Sequence, residues 1–248
     1  MVNALCDDFK NMLVFLYRFY GNDEMVDYQT LCRSMILGQV LPCTQVSAPF
    51  LAGLEDLPRH EAVADAKKSL AYADKDAALE EGRFLMAAMP FARLVMALGI
   101  GHGEKILDVG CGAGYTSVLL HRLSPRVTGL EKSAALIERA KAFDGAHGDG
   151  RSPVTFFAQE DPLLGKAEAG PFDVIVVEGA LASVPHALVD QLSEGGRLGC
   201  FIKGEKGSLS RALVITKTAA GAVQKVLFEG SMSALEFDHK GGEASHAA

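Results

Sequence analysis

The sequence predicts an α/β fold: a doubly wound, mostly parallel sheet, closed by an antiparallel hairpin and preceded by an N-terminal helical cap. The run KILDVGCGAGYTSVLL at residues 105–120 has the pattern of a buried strand, a glycine-rich turn and the start of a helix. Later apolar runs alternate with helical patterns, as in parallel sheets; the strands are predicted at 127–130, 154–157, 172–177 and 197–202, and the helices at 134–143 and 186–192. Two last apolar runs, 212–216 and 224–228, flank a short turn at Ala220 and Gly221, which is typical of a hairpin.

The segment ahead of this sheet, residues 25–79, is predicted to be a cap of short helices separated by prolines. Its two apolar helical faces are formed by Phe50, Leu51, Leu54 and Leu57, and by Ala62, Val63, Ala66 and Leu70. A longer helical pattern at 80–98, interrupted by Pro90, opens the main domain, which we place at 80–238.

The two ends of the chain are predicted to lie outside this domain. Residues 1–24 carry one amphipathic helical pattern, and two interpretations stay open: an N-terminal extension, or a helix packed on the domain. Residues 239–248 are small, polar and glycine-rich, so we expect a disordered tail.

The three glycines of the turn, Gly110, Gly112 and Gly114, indicate a nucleotide-binding site. Their missing Cβ atoms let a ligand approach the backbone, and the helix that follows offers unpaired N–H groups. The match to the dinucleotide fingerprint is poor, however, because Tyr115 stands at the place of its last glycine. Cys111 within the turn is interpreted as a small packing residue rather than a nucleophile.

Two carboxylates flank the turn and favour a cationic, phosphate-free nucleoside. Asp108 ends the first strand, where it would repel a pyrophosphate and attract an ammonium group. Glu131 ends the second strand, 21 residues after Gly110, where nucleotide folds of this kind place the acceptor for the ribose hydroxyls.

Composition limits the partners. The chain has 248 residues with 49% hydrophobic content and a formal net charge of −7, which disfavours nucleic acid. The five cysteines are scattered, without the spacing of a disulfide frame or a zinc site, so we predict no metal. No apolar run reaches the 18 or so residues of a membrane span, and we expect a cytoplasmic protein without membrane association.

Asp108, the three glycines and Glu131 together resemble the S-adenosylmethionine site of class I methyltransferases, which have a Rossmann-like fold. From residue 25 to about 237, the chain further resembles the bacterial branch of the protein-L-isoaspartate O-methyltransferase family. Several blocks carry the likeness in the family's order: LPR at 57–59, LAYAD at 70–74, GRFL at 82–85, GPFDVIV at 170–176, VP at 184–185 and QLSEGGR at 191–197.

This resemblance implies methylation of the misplaced carboxylate of isoaspartyl residues in a protein or peptide substrate, with S-adenosyl-L-methionine as cofactor. A carboxylate is already ionised at neutral pH, so the chemistry needs positioning more than an acid or base. The resemblance assigns Asp108, Gly110, Gly112, Gly114 and Glu131 to cofactor binding. It also places Asp161 where the family's aspartate meets the adenine amine.

Two positions depart from the family pattern. Met86 falls near the serine that helps to hold the family's substrate, and its thioether cannot donate a hydrogen bond, a loss of roughly 1.5–3 kcal/mol for a charged acceptor. Glu178 ends the fourth strand where the family has small or hydroxyl residues. We interpret it as a solvated acid that caps the next helix, with a general base as the alternative.

Three hypotheses about function therefore stay open. The first is an isoaspartyl methyltransferase, which the order of the blocks favours. The second is a methyltransferase for a small molecule or another protein group, which the change at Met86 favours. The third is a cofactor-binding module without turnover. The sequence does not fix the oligomeric state.

Overall fold

The computed structural model describes residues 26–150, 152–205, 208–235 and 237, so the predicted extension and tail lie outside the described residues. Its α-helices are α1 (Tyr28–Met35), α2 (Ala48–Asp56), α3 (Ala88–Leu98), α4 (Tyr115–His121), α5 (Ala134–His147) and α6 (His186–Asp190). Its strands are β1 (Ala77–Ala78), β2 (Phe84–Leu85), β3 (Lys105–Val109), β4 (Arg126–Glu131), β5 (Thr155–Ala158), β6 (Phe172–Leu181), β7 (Leu192–Ile202), β8 (Ser210–Thr218) and β9 (Gly221–Gly230). No helix within these described ranges is long and apolar enough to cross a membrane.

The predicted fold class is confirmed. Seven strands form one sheet in the order β5-β4-β3-β6-β7-β8-β9. The pairs from β5 to β7 are parallel, whereas β8 pairs antiparallel with both β7 and β9, which makes the expected closing hairpin. Strands β6 and β7 are longer than the sequence predicts, extending to Leu181 and starting at Leu192.

Side chains on the central strands alternate between two apolar layers. Ile106 and Val174 belong to the larger layer, which α1 to α5 cover, whereas Leu107 and Ile175 belong to the layer on the opposite face. This alternation explains why the strands read as continuous apolar runs, since both faces are buried. Met35 and Phe50 of the predicted cap join the larger layer, and the division of the cap from the main domain stays a prediction.

The prediction of a helix from residue 80 is wrong. Residues 77–85 form the small antiparallel pair β1–β2, with Glu81 and Gly82 at positive φ in the turn, and α3 begins only at Ala88. Pro90 is then in the first turn of α3, where its missing N–H leaves no helical bond unmade. The proline therefore marks the start of the helix and does not interrupt a longer one.

The prediction of a second helix in the cap, with Ala62, Val63, Ala66 and Leu70 on its apolar face, is also wrong. The chain forms two short 3-10 turns, Arg59–Ala62 and Asp65–Leu70, and is extended between them. Nη2 of Arg139 donates to the carbonyls of Ala62 and Val63 at 3.2 and 3.3 Å, which satisfies them outside a helix. Leu70, expected to be buried, is 37% exposed.

Arg59 joins the cap to the sheet from a buried position. Its Nε donates to the carbonyl oxygen of Ala71 at 2.6 Å, and its Nη2 donates to that of Met86. The guanidinium also lies 5.1 Å from the ring centroid of Tyr115, the first residue of α4. One side chain therefore connects the cap, the segment after β2 and the helix that follows the glycine turn.

We expect Arg59→Met to lower the free energy of unfolding by about 2–4 kcal/mol, because two buried carbonyls lose their donor. Urea denaturation followed by circular dichroism measures this. Arg33→Met is the matched control: Arg33 is exposed on α1, and a change there costs less than about 0.5 kcal/mol. Equal losses in the two variants would contradict the connecting role of Arg59.

Candidate active site

Three carboxyl groups meet at the carboxyl ends of neighbouring strands. Asp108 lies on β3, Glu131 ends β4, and Glu178 lies on β6; in the register, Val109 of β3 is opposite both Leu130 and Val177. All three carboxyl side chains are buried, and Glu178 is 1% exposed. The interpretation of Glu178 as a solvated helix cap is therefore wrong: its strand continues to Leu181, and α6 starts only at His186, eight residues after Glu178.

The glycine turn follows β3 and needs its glycines for conformation and for space. Gly110, Gly112 and Gly114 have φ of +83°, +51° and +88°, in the left-handed region that other residues rarely adopt. A Cβ at Gly114 would lie 2.7 Å from that of Ala140, so α5 packs directly on the turn. Cys111 is buried, and burial raises the pKa of its thiol well above the usual value, which fits a packing residue rather than a nucleophile.

Glu131 is held by four contacts from three donors. Nε of Arg83 lies 3.1 Å from each carboxylate oxygen, the backbone N–H of Gly112 donates at 3.0 Å, and that of Lys132 donates at 2.7 Å. The position expected to accept ribose hydroxyls is thus fixed against the turn. It already carries an ion pair with a residue that the sequence analysis did not place in the site.

Arg83 comes from the strand pair ahead of the sheet and lies over the glycine turn. Its Nη2 donates to the carbonyl oxygen of Gly110 at 3.2 Å and lies 2.8 Å from where a Cβ of Gly110 would be. The guanidinium also stacks near the rings of Phe84 and Phe237, 5.7 and 4.9 Å from their centroids. In the sequence, Arg83 directly precedes the apolar run FLMAAMPFA. A charged residue beside such a run is buried only when it has a partner, and this is the signal that could have indicated its role.

Asp108 and Glu178 form a coupled pair of carboxyl groups. Burial raises the pKa of Asp108 to about 6, against hydrogen bonds from Glu178, from Ser117 at 2.6 Å and from Thr116 at 3.3 Å. Burial, and then the charge of Asp108, raise the pKa of Glu178 well above the usual value. Of the two acids, Glu178 has its pKa raised further above the usual value, so it is the one that holds a proton more readily.

A C-terminal stretch covers the turn. We call residues 231–235 together with Phe237 the closing segment. The carbonyl oxygen of Ser233 accepts from the backbone N–H of Ala180, and the N–H of Leu235 donates to the carbonyl oxygen of Ala180, each at 2.9 Å. A methyl carbon of Leu235 lies 3.2 Å from where a Cβ of Gly110 would be, so this segment forms the wall opposite the glycines.

Met86 lies beside the site but faces the core. It is fully buried in the larger apolar layer, and its carbonyl oxygen is bonded to Arg59. Next to it, the backbone N–H of Ala87 donates to Asp76 at 2.9 Å, and the second oxygen of Asp76 accepts from Ser233 of the closing segment at 2.8 Å. The position of the family's serine thus provides no side-chain donor.

A groove of about 440 Å³ begins at this junction, between the start of α3 and the closing segment. It is lined by both polar and apolar groups, among them Asp76, Ala87, Arg93, Phe228 and Ser233. The groove is therefore formed on one side by the residues around Ala87 and on the other by β9 and the start of the closing segment.

Asp161 lies apart from the buried cluster. It is half-buried and caps a short 3-10 turn, Pro162–Leu164, by accepting from the N–H of Leu163 at 3.0 Å. The chain reaches it from β5, whose last residue Ala158 pairs with Glu131, so Asp161 follows the strand next to the one that ends at Glu131. Its contact with an adenine stays a prediction.

Comparison with known proteins identifies relatives along most of the chain. Residues 44–230 match the family model described as Protein-L-isoaspartate(D-aspartate) O-methyltransferase. Protein-L-isoaspartate O-methyltransferase 2 of Anaeromyxobacter sp. (strain Fw109-5) is 33% identical over 171 residues, 69% of each chain. Protein-L-isoaspartate O-methyltransferase 1 of Rhodopseudomonas palustris (strain HaA2) is 30% identical over 193 residues, 77% of each chain.

Solved structures show the same fold. A protein-L-isoaspartate O-methyltransferase has a TM-score of 0.67 at 23% identity, covering 84% of this chain and 66% of that chain. A Plasmodium falciparum protein assigned to the same enzyme, solved with S-adenosyl-L-homocysteine, has a TM-score of 0.70 at 19% identity, covering 86% of this chain and 100% of that chain. With a family match across most of its length, this chain belongs to the protein-L-isoaspartate(D-aspartate) O-methyltransferase family.

Proposed function

We propose that this protein transfers a methyl group from S-adenosyl-L-methionine to the carboxylate of isoaspartyl residues in proteins or peptides. The observation that carries the proposal is the buried pair of acids, Asp108 and Glu131, on either side of the glycine turn in a member of this family. The groove at Ala87 supports a peptide as the substrate.

The residues of the turn fit the cofactor. Asp108 can accept from an ammonium group and Glu131 from ribose hydroxyls, while the missing Cβ atoms of Gly110 and Gly112 let neighbouring groups approach the backbone of the turn closely. Asp161 is the proposed partner of the adenine amine. When bound, S-adenosylmethionine supplies a methyl group activated on a sulfonium.

The charges of the site also fit this cofactor. Among the buried groups of the site, three are acidic, Asp108, Glu131 and Glu178, and one is basic, Arg83. S-adenosylmethionine carries a sulfonium, an ammonium and a carboxylate, hence one net positive charge. A buried site of opposite charge favours it over the neutral product, S-adenosylhomocysteine.

The chain's own part in the reaction is positioning. The acceptor carboxylate is ionised at neutral pH and needs no base, so holding it in line with the methyl group supplies most of the rate enhancement. The reaction therefore needs no base, and the base role considered for Glu178 from the sequence is not part of this proposal.

A second candidate is methyl transfer to a different acceptor. The buried thioether of Met86 favours it, since no hydroxyl stands at the position of the family's serine. The Asp108 and Glu131 site is the same under both candidates, so only the acceptor distinguishes them. We further propose that the protein acts in the cytoplasm.

We expect the protein to label an isoaspartyl peptide with methyl groups from radiolabelled S-adenosylmethionine, and to leave the same peptide with normal aspartate at background. Calorimetric binding of S-adenosylhomocysteine by the same preparation is the control for an intact cofactor site. Cofactor binding without labelling of the isoaspartyl peptide would exclude the proposed acceptor and favour the second candidate.

Cofactor affinity should depend on pH through Asp108. An ionised Asp108 binds the ammonium group, and a proton competes below its pKa, so affinity for S-adenosylhomocysteine should fall by up to about 10-fold per pH unit below about pH 6. The hydrogen bond from Glu178 lowers the pKa of Asp108, and the amide of Glu178→Gln is a weaker donor, so this variant should raise that pKa and shift the fall to higher pH. Calorimetry between pH 5 and 8 measures both profiles.

Glu194→Gln is the matched control for that series, because Glu194 is exposed on β7 and should leave the profile unchanged. An identical midpoint in the wild type and in Glu178→Gln would show that the two carboxyl groups do not share a proton.

A further inference from the structure

Arg83 has an unused hydrogen-bond donor at the centre of the site. The side chain is 5% exposed, and its Nη1 has no partner among the residues that the structure describes. A guanidinium keeps its charge and all five of its N–H donors, so a buried Nη1 without an acceptor is costly. Such a group needs an explanation, and a bound ligand is one.

The Nε and Nη2 donors of Arg83 already have partners, so Nη1 is the donor left for a ligand. Nε is held by both oxygens of Glu131, and Nη2 by the carbonyl oxygen of Gly110. The rings of Phe84 and Phe237 lie against the guanidinium and hold it in place, but an aromatic ring is a poor substitute for an oxygen acceptor. The side chain is therefore preorganised, with Nη1 as its buried nitrogen without an acceptor among the described residues.

Arg83 is also close in sequence to the position where the family's serine is missing. It precedes β2, three residues before Met86, on the same segment that runs past the turn. A guanidinium offers a carboxylate a charge-assisted bond, which is stronger than the bond from a neutral hydroxyl. The segment that has no hydroxyl donor at Met86 thus carries a stronger donor three residues earlier, at Arg83.

We infer that Nη1 of Arg83 binds a ligand carboxylate in this site. The inference rests on the proposed function. The proposed ligands have two carboxylates that Arg83 could bind: that of the isoaspartyl acceptor and that of the methionine tail of the cofactor. The chemistry is the same for both, and the experiment below separates them.

The test compares Arg83→Gln with Arg126→Gln. Arg126 is exposed at the start of β4, at the end of the strand away from Glu131, and serves as the matched control. Three quantities are measured for each variant and the wild type: the KM for the isoaspartyl peptide at saturating cofactor, the Kd for S-adenosylhomocysteine, and the Kd for 5′-methylthioadenosine. The last ligand keeps the adenosine but lacks the amino-acid tail.

If Arg83 binds the acceptor, Arg83→Gln raises the peptide KM at least about 10-fold and changes both Kd values less than about 3-fold. If it binds the cofactor's carboxylate, the Kd for S-adenosylhomocysteine rises at least about 10-fold while that for 5′-methylthioadenosine stays within about 3-fold. Arg83→Lys, which keeps the charge but not the planar fork, should give an intermediate effect in the same arm.

Two outcomes would overturn the inference. One is a variant in which none of the three quantities changes. The other is an equal rise in both Kd values, which would mean that Arg83 acts only by orienting Glu131 toward the ribose. Failure of the proposed function looks different: the wild type binds S-adenosylhomocysteine but does not methylate the peptide, and the two Kd values still test Arg83.

Discussion

The ion pair between Arg83 and Glu131 determines the arrangement of the candidate site. It connects the strand pair ahead of the sheet to the end of β4, and through Gly110 and Gly112 it fixes the glycine turn between them. A buried ion pair gains little stability over apolar packing, because both charges must leave water. The ion pair is better explained by its place in the site. A guanidinium fixed among three acidic groups determines where a ligand's positive and negative groups can bind.

Two buried arginines, Arg59 and Arg83, each connect separate parts of the chain. Arg59 joins the cap to the segment after β2 through carbonyl oxygens, and Arg83 joins the same segment to the site through a carboxylate. Met86 follows Arg83 by three residues; its carbonyl oxygen accepts from Arg59, and its side chain packs in the larger apolar layer. The short stretch from residue 83 to 86 therefore couples packing of the cap to geometry of the site.

The features of the fold that depend on patterns over many residues could be predicted from the sequence. The short elements and the contacts between distant residues could not. The apolar runs and the spacing from Gly110 to Glu131 defined the sheet and both acids, since each signal extends over many residues. Residues 80–87 were misassigned because two-residue strands have no measurable periodicity. The burial of Glu178 and the partners of Arg83 depend on contacts across distant parts of the chain, which a single sequence does not reveal.

The most direct test of the central claim is a crystal structure with S-adenosylhomocysteine and an isoaspartyl peptide bound together. We expect Nε of Arg83 to remain on Glu131, and Nη1 to lie about 2.7–2.9 Å from a carboxylate oxygen of one of the ligands. A structure in which Arg83 leaves Glu131, with both ligand carboxylates held by other residues, would contradict it.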